Sequence, residues 1–366
     1  EKIFIGSHFN EKAEIKFKKV GIRYSHLDKW IKTSGFKIQL EEYKENNTTG
    51  TIIKYKLPQS IQTKIRKDIG ISIDFQVEGL PLTYTREVHI REAPIINLEF
   101  PEERPIDEIL ELINLLQNFL TLGVSKPVIP LMIRGKTKRQ MRSESQVTEL
   151  NFDSGNIKEF ESEKIDRSQM FFTFEDIKDR FDSFFNNWIE KKELLSPVYN
   201  LYFATLYNKH LYLENKFLNF VQALETYHRR VYDGKYMDND DYEELRKKLV
   251  SAIPRDVNRN LKERLDGYLV FGNEFSLRKR LKDLFEQKPI LKDLIDDNNF
   301  IQEVVDARNY YVHYDKEEEY DVPSGQYLHE LTRRLEICLK VCLLSELGFD
   351  QDKIKKMMKR SLPDYS

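Results

Sequence analysis

The chain has 366 residues, with 59 Lys and Arg against 61 Asp and Glu and a formal net charge of −2. That length suits two domains, and the near-neutral balance excludes a whole-surface nucleic-acid footprint, so any RNA or DNA contact must use a local patch. Two cysteines are too few for a disulfide framework or a zinc site, and no apolar run of about 18 residues offers a membrane span. With no signal peptide, the expected compartment is the cytoplasm. The chain opens on Glu1 rather than Met, so its natural start is expected upstream.

From Glu1 to about Gly135 the pattern is mostly β. Ala13–Phe17, Phe36–Leu40, Ile52–Lys56 and Ile71–Phe75 alternate apolar and polar residues and are rich in β-branched and aromatic side chains. Asn46–Gly50 signals a turn between two of them. The alternation fits an antiparallel sheet with one wet face. One amphipathic helix interrupts it, following Pro105 from Ile106 to Leu122, with Ile109, Leu110, Ile113, Leu116 and Leu120 on one side and Gly123 as its stop. Pro127–Ile133 reads as a short edge or irregular strand because of its prolines. His8, His26 and His89 are scattered and read as structural or surface residues. The half contains no phosphate loop, H-E-x-x-H or G-x-S-x-G.

A basic window follows, with Lys126, Arg134, Lys136, Lys138, Arg139 and Arg142 and no acidic residue from Lys126 to Arg142. It is either a solvated loop or a patch that contacts phosphate. Ser143 to Asp166 then reads as a hairpin, an insertion or a linker.

From Phe174 the chain turns helical. Phe181, Phe184, Phe185 and Trp188 give the first helix an apolar face, and Pro197 marks a break before a piece at Leu201–Lys209. Asn215–Tyr232 is strongly patterned through Phe217, Phe220, Val221, Leu224, His228 and Val231, so His228 reads as a core histidine. Asp233-Gly234 ends that helix. Asp240–Ala252, Val257–Tyr268, Ser276–Phe285 (Ser276 as N-cap), Asn299–Tyr314 and Ser324–Leu347 (Gly348 beyond it) follow. Cys338 and Cys342 lie four apart in an apolar helical pattern and read as core thiols. Gln351–Arg360 is a short basic helix. Five or more helices make a bundle.

The stretch with the most chemical content is Val304–His313. Phe300, Val304, Ala307 and Tyr311 form its apolar stripe, and Arg308 stands at the rim. Asn309 and His313, four apart, share a face away from the stripe. An Arg, an Asn and a His gathered outside the core suit chemistry on a phosphate or a polar surface that pairs with a partner. The structural alternative is an Arg308 ion pair and a His313 favoured by the helix dipole. Tyr310, Tyr311 and Tyr314 suit base stacking or, more simply, core and interface packing.

The second half resembles a HEPN domain, whose signature is R-x4-6-H near the end of a late helix, here Arg308, Asn309 and His313. Glu225, within Phe217–Arg230, matches the acidic residue that the family carries on an earlier helix. The wording of Phe217–Arg230 is similar to the ApeA-like branch. Ile5-Gly6-Ser7-His8 and Leu27-Asp28-Lys29-Trp30 resemble the N-terminal domain of ApeA-type anti-phage abortive-infection proteins.

The expected fold class is α+β: a β-rich antiparallel-sheet or sandwich-like sensing domain over 1–170, then an all-α bundle over 171–366. The resemblance implies a metal- and cofactor-independent RNA endonuclease. In that role His313 serves as general base on a 2′-OH or general acid on the leaving 5′-oxygen, and Arg308 steadies transition-state charge. Asn309 binds phosphate or orients His313, and Glu225 holds Arg308 or His313. It further implies RNA as substrate, tRNA being one candidate, a phage-encoded trigger, and a homodimer or higher oligomer through the helical domain. RNA contacts at Arg134, Lys136, Lys138, Arg139 and Arg142 belong to the same reading. The alternatives are an inactive HEPN module that binds RNA or a protein through its helical face, and an antitoxin-like structural protein.

Overall fold

Alternating apolar residues in the first half build one sheet. The computed structural model describes residues 2–5, 9–43, 48–65, 68–78, 90–137, 146–152, 165–295, 297–314 and 323–361. The chain divides into two units, residues 1–190 with 346–366, and residues 191–345.

In the first unit, seven strands lie in the order β1 (Lys2–Ile5), β9 (Gln146–Phe152), β8 (Pro130–Thr137), β2 (Lys16–Tyr24), β7 (Arg91–Pro105), β6 (Ile69–Glu78) and β5 (Ile61–Ile65). Every neighbouring pair is antiparallel. The register lines Ile22, Ile96 and Ile73 into one row and Val20, Leu98 and Ile71 into another, all buried. β3 (Phe36–Tyr43) and β4 (Thr48–Tyr55) form a separate two-stranded ribbon. β8 is an interior strand, not an edge. Its Pro130 is the first residue and Pro127 precedes it, so neither proline removes a donor from the middle of the ladder. β9 falls in the segment read as a hairpin, insertion or linker.

A short helix, α1 (Leu27–Ile31), and the long α2 (Ile106–Val124) cover the apolar rows. The Tyr24 hydroxyl donates to the Ile113 carbonyl at 2.8 Å, and Trp188 Nε1 to the Leu115 carbonyl at 2.9 Å. Gly123 is not the helix stop. The helix runs to Val124, and Ser125 closes it in the left-handed region at φ 62°. A Cβ on Gly123 would lie 2.9 Å from Trp30 Nε1 and 3.0 Å from the Phe172 ring, so glycine is there for close packing.

Helices α3 (Phe174–Ile177) and α4 (Phe181–Glu190) stay with this unit. Phe174, Phe181 and Phe185 complete a cluster with Trp30, Phe119 and Phe172. That shared core keeps residues 171–190 with the first unit.

The second unit holds α5 (Lys192–Tyr207), α6 (Leu213–Tyr232), α7 (Asn239–Ser251), α8 (Arg259–Val270), α9 (Leu277–Gln287), α10 (Ile290–Leu294), α11 (Phe300–His313) and most of α12 (Gly325–Leu347). Pro197 does not break α5. It lacks the N–H that would satisfy the Glu193 carbonyl, and Arg230 Nη1 on α6 donates there at 3.3 Å and to the Leu194 carbonyl at 3.0 Å. From Ile337 to Leu344, α12 carries five buried apolar residues besides Cys338 and Cys342, which are free and buried as expected. A last helix, α13 (Gln351–Ser361), returns to the first unit, where Arg360 donates to the Phe171 carbonyl at 2.7 Å and pairs with Asp176 at 3.2 Å.

Several sequence features lie outside the described residues: Gly6 to His8, Asn46 and Asn47, His89, Lys138, Arg139 and Arg142, and most of Ser143–Asp166. No helix among the described residues is long and apolar enough to cross a membrane.

Candidate active site

α11 presents Arg308, Asn309 and His313 outward because its other face is claimed by the core. Phe300, Val304, Ala307 and Tyr311 are buried on the stripe read from the sequence. Asn309 and His313 are exposed and stand one turn apart on the same side, about 6 Å along the axis. Arg308 is half-buried and its backbone position lies about 140° round the helix from His313. Its Nη1 donates to Asn309 Oδ1 at 3.1 Å, which turns the guanidinium toward the Asn309 side. His313 makes no hydrogen bond or ion pair among the described residues, so its ring nitrogens are not committed to the fold. The helix closes directly after it, where Tyr314 adopts φ 52° and its N–H bonds the Tyr310 carbonyl at 2.6 Å.

Neighbouring helices hold α11 in place. The Tyr311 hydroxyl donates to the Pro323 carbonyl at 2.7 Å, and the Tyr311 ring meets Phe217 of α6 edge-on at 6.0 Å. Tyr327 of α12 bonds Glu303, and its phenol is pushed up to about 12, chiefly by that bond. Phe285 of α9 packs on Phe300, and Arg278 bonds Gln302, which donates to Asp306. Tyr311 is therefore a core ring. Tyr314 is exposed, with its ring 5.5 Å from Tyr310.

Residues 1–188 match ApeA N-terminal domain 1, and residues 218–353 match the Apea-like HEPN domain. The first match spans more than half of the chain, and the second contains Glu225, Arg308, Asn309 and His313. The chain belongs to the ApeA-like HEPN anti-phage family. No curated protein and no solved structure gives a match.

Within the HEPN unit, Glu225 stands apart from the α11 motif. It lies two turns beyond Phe217, about 12 Å along α6 from the level at which that helix meets Tyr311. Its carboxylate pairs with Arg229 at 3.3 Å, Arg229 with Glu274 at 2.9 Å, and Glu274 with Arg280 at 3.3 Å. Arg280 is 1% exposed and also donates to the Asp233 and Phe275 carbonyls. Its Nη1 lies 3.2 Å from His228 Nδ1, while His228 Nε2 lies 2.7 Å from Asp283. Arginine can only donate, so Nδ1 accepts and Nε2 carries the proton donated to Asp283. Burial lowers the His228 pKa below its ordinary value, and Arg280 adds to this, outweighing the upward pull of Asp283. The network ties α6 to α9, and α9 in turn packs on α11.

Sequence reading did not single out Arg280. The available signal was a basic residue on the apolar stripe of Leu277, Leu281 and Leu284, a place that arginine occupies only when fully partnered.

In the ApeA N-terminal unit, Arg134 and Lys136 point to the solvent face of β8, alternating with buried Ile133 and Gly135. Gly135 faces inward against Phe17, whose ring a Cβ would meet at 2.3 Å. Lys136 lies opposite Lys19 of β2 in the register, so the cationic character continues across the strand pair. Among the described residues, no group of three His, Cys, Asp or Glu side chains is arranged to hold a metal ion.

Proposed function

We propose that this ApeA-like HEPN protein is a metal-independent RNA endonuclease that a phage-encoded trigger releases to halt the infected cell. The observation that carries the reading is the exposed Arg308–Asn309–His313 group on the last turns of α11, with His313 held by no described partner. A histidine that serves only the fold is ordinarily buried and bonded, as His228 is.

In the proposed reaction the ribose 2′-OH attacks the adjacent phosphorus while an imidazole takes its proton. The P–O5′ bond breaks, and the departing 5′-oxygen receives a proton. The products carry a 2′,3′-cyclic phosphate and a 5′-hydroxyl. In this scheme the Arg308 fork shares charge with the non-bridging oxygens, and Asn309 steadies the guanidinium through its Oδ1. One chain supplies one imidazole to the site, whereas the reaction needs a base and an acid. A two-fold pair of α11 faces brings two His313 rings together, one in each role. Glu225 acts at a distance in this scheme, steadying Arg229 and the α6–α9 frame. Arg134 and Lys136 are candidate phosphate contacts on the N-terminal sheet, and a tRNA is a candidate substrate.

The test is total-RNA integrity and growth in cells expressing wild type or His313→Ala, with and without phage. Fragmentation confined to the wild type supports the reading, as does cleavage by purified protein in EDTA that leaves cyclic-phosphate ends. Intact RNA in both strains, with defence retained by His313→Ala, sinks it in favour of a binding module.

A further inference from the structure

Two helices of the second unit bury no residue at all. α7 and α8 run antiparallel, since Tyr242 reaches the Leu269 carbonyl at 2.6 Å and Arg246 reaches Asp266 at 2.6 Å. Their root is fixed. Lys235 bridges Glu274, and the buried Asn273 side chain exchanges two hydrogen bonds with the Met237 backbone at 2.9 and 3.0 Å. The pair is a rooted hairpin arm.

The arm is amphipathic. Tyr242 and Arg246 of α7 face Asp266 and Leu269 of α8. Turned from those lines by roughly 40–80° lie Leu249 and Leu245 on α7, and by roughly 70–130° Leu265, Leu261 and Tyr268 on α8. The turn has the same sense in each helix, and in an antiparallel pair that brings all five residues to one face. All five are exposed, from 37% at Leu245 and Leu265 to 61% at Tyr268. The opposite face carries Glu243, Lys247, Arg259 and Glu263.

Charge is unevenly spread along the arm. The root half, residues 239–244 and 264–270, has five acids and one base, whereas the tip half, residues 245–263, has two acids and six bases. The root is thus at −4 and the tip at +4, with no net charge over the arm.

We infer that the apolar face of the α7–α8 arm is a self-association surface, on which a second copy lays its own arm antiparallel to form a four-helix bundle. Charge complementarity selects this occupant. Two-fold antiparallel docking sets the basic tip of each arm on the acidic root of the other, and does so twice. The five side chains expose on the order of 400 Å² of apolar surface, which matches the non-polar share of the ~800 Å² that each partner of a standard interface buries. The absence of net charge disfavours nucleic acid and anionic lipid as occupants. This surface is separate from the α11 face and assumes nothing about Arg308 or His313.

Sedimentation equilibrium on the full chain tests the assignment. The wild type is expected to self-associate and to dissociate at least tenfold more readily in high salt. Leu249→Glu with Leu265→Glu should halve the assembly mass while leaving the circular dichroism spectrum unchanged, because neither side chain is buried. Lys247→Glu with Lys248→Glu neutralises the tip, and Asp241→Lys with Glu244→Lys neutralises the root. Each neutralised chain alone should associate weakly, and an equimolar mixture, which keeps one of the two tip-on-root pairings, should associate more tightly than either variant alone. A monomeric wild type, a leucine double variant that assembles as tightly as the wild type, or a mixture that associates no more tightly than either variant alone would each overturn the proposal. Binding of an unrelated protein or of vesicles by a monomeric arm would likewise replace it.

Discussion

His228 and His313 belong to the same helical unit and have opposite fates. His228 lies on the buried stripe of α6, with both ring nitrogens committed, one to Arg280 and one to Asp283. His313 ends α11, is exposed, and has no bond to any described residue. The first is a fixed neutral element of a buried polar network. The second spends no described contact on the fold. Histidine identity and helical location do not separate the two; face does, because the stripe decides which ring loses water and must find partners.

The largest expected effect is at His313. Replacing a general acid–base group costs roughly 10²–10⁴ in rate, so His313→Ala should abolish measurable RNA cleavage. Arg308→Ala should cost roughly 10²–10³, the usual loss for a donor that stabilises transition-state charge. Both sites are at least partly exposed, so thermal melting should stay close to wild type. If either variant cleaved RNA at the wild-type rate, the motif would have no chemical role. If either unfolded, the contrast with His228 would collapse.

His228 should behave in the opposite way, with a large effect on stability. His228→Ala leaves Arg280 and Asp283 without their shared partner, a loss of about 3 kcal/mol by comparison with broken buried networks. Chemical denaturation followed by fluorescence would measure it. The network also carries a pH signature. The folded-state pKa of His228 lies below its ordinary value near 6.5, so the unfolded chain protonates first as pH falls. The stabilisation is fully present above that value and drains away below it, down to the folded pKa. His228→Gln offers a donor and an acceptor without titrating, so its melting temperature should fall less steeply than wild type's below pH 6.5. Equal slopes would show that the imidazole is not the titrating group. Gly234→Ala should come next, at about 1–3 kcal/mol. Gly234 sits at φ 74°, and a Cβ there would lie 2.8 Å from Arg280 Nη1 and 2.9 Å from His228 Cε1.

Much of this was legible in sequence wherever one period governs a segment. The α11 stripe, the Ser276 cap, the Gly348 terminator and the buried thiols of Cys338 and Cys342 follow from local spacing. Three of the four alternating strands were equally readable, whereas Ala13 and Glu14 lie in a 3-10 turn and the strand there runs from Lys16 to Tyr24. β7 was not, because Pro94 and Pro101 argue against a strand, although it runs for 15 residues in the middle of the sheet. Gly123 reads as a helix stop because sequence cannot show Trp30 and Phe172 pressed against it. At the site, Asn309 and His313 were visible as a face and Arg308 at the rim of the apolar stripe, since neighbours on one helix are fixed by 3.6-residue geometry. The partner of Glu225 was not, because Arg229, Glu274 and Arg280 meet through tertiary contacts between α6 and the start of α9.

The smallest effect concerns Arg230, and it extends the same contrast to two prolonged helices. A proline inside a helix leaves the carbonyl four residues earlier without its N–H. In α5 that carbonyl is Glu193, and Arg230 of α6 reaches it and the Leu194 carbonyl. Arg230 is exposed, so the bonds compete with water and Arg230→Met should cost only about 1 kcal/mol. Pro197→Ala restores the backbone donor and makes the arginine redundant at Glu193. In a double-mutant cycle, Arg230→Met should therefore cost less in the Pro197→Ala background than in the wild type. Strict additivity would mean that Arg230 contributes through general surface charge, and that α5 tolerates Pro197 for a reason other than this bond. A positive coupling would establish the arginine as the group that lets the helix pass through its proline.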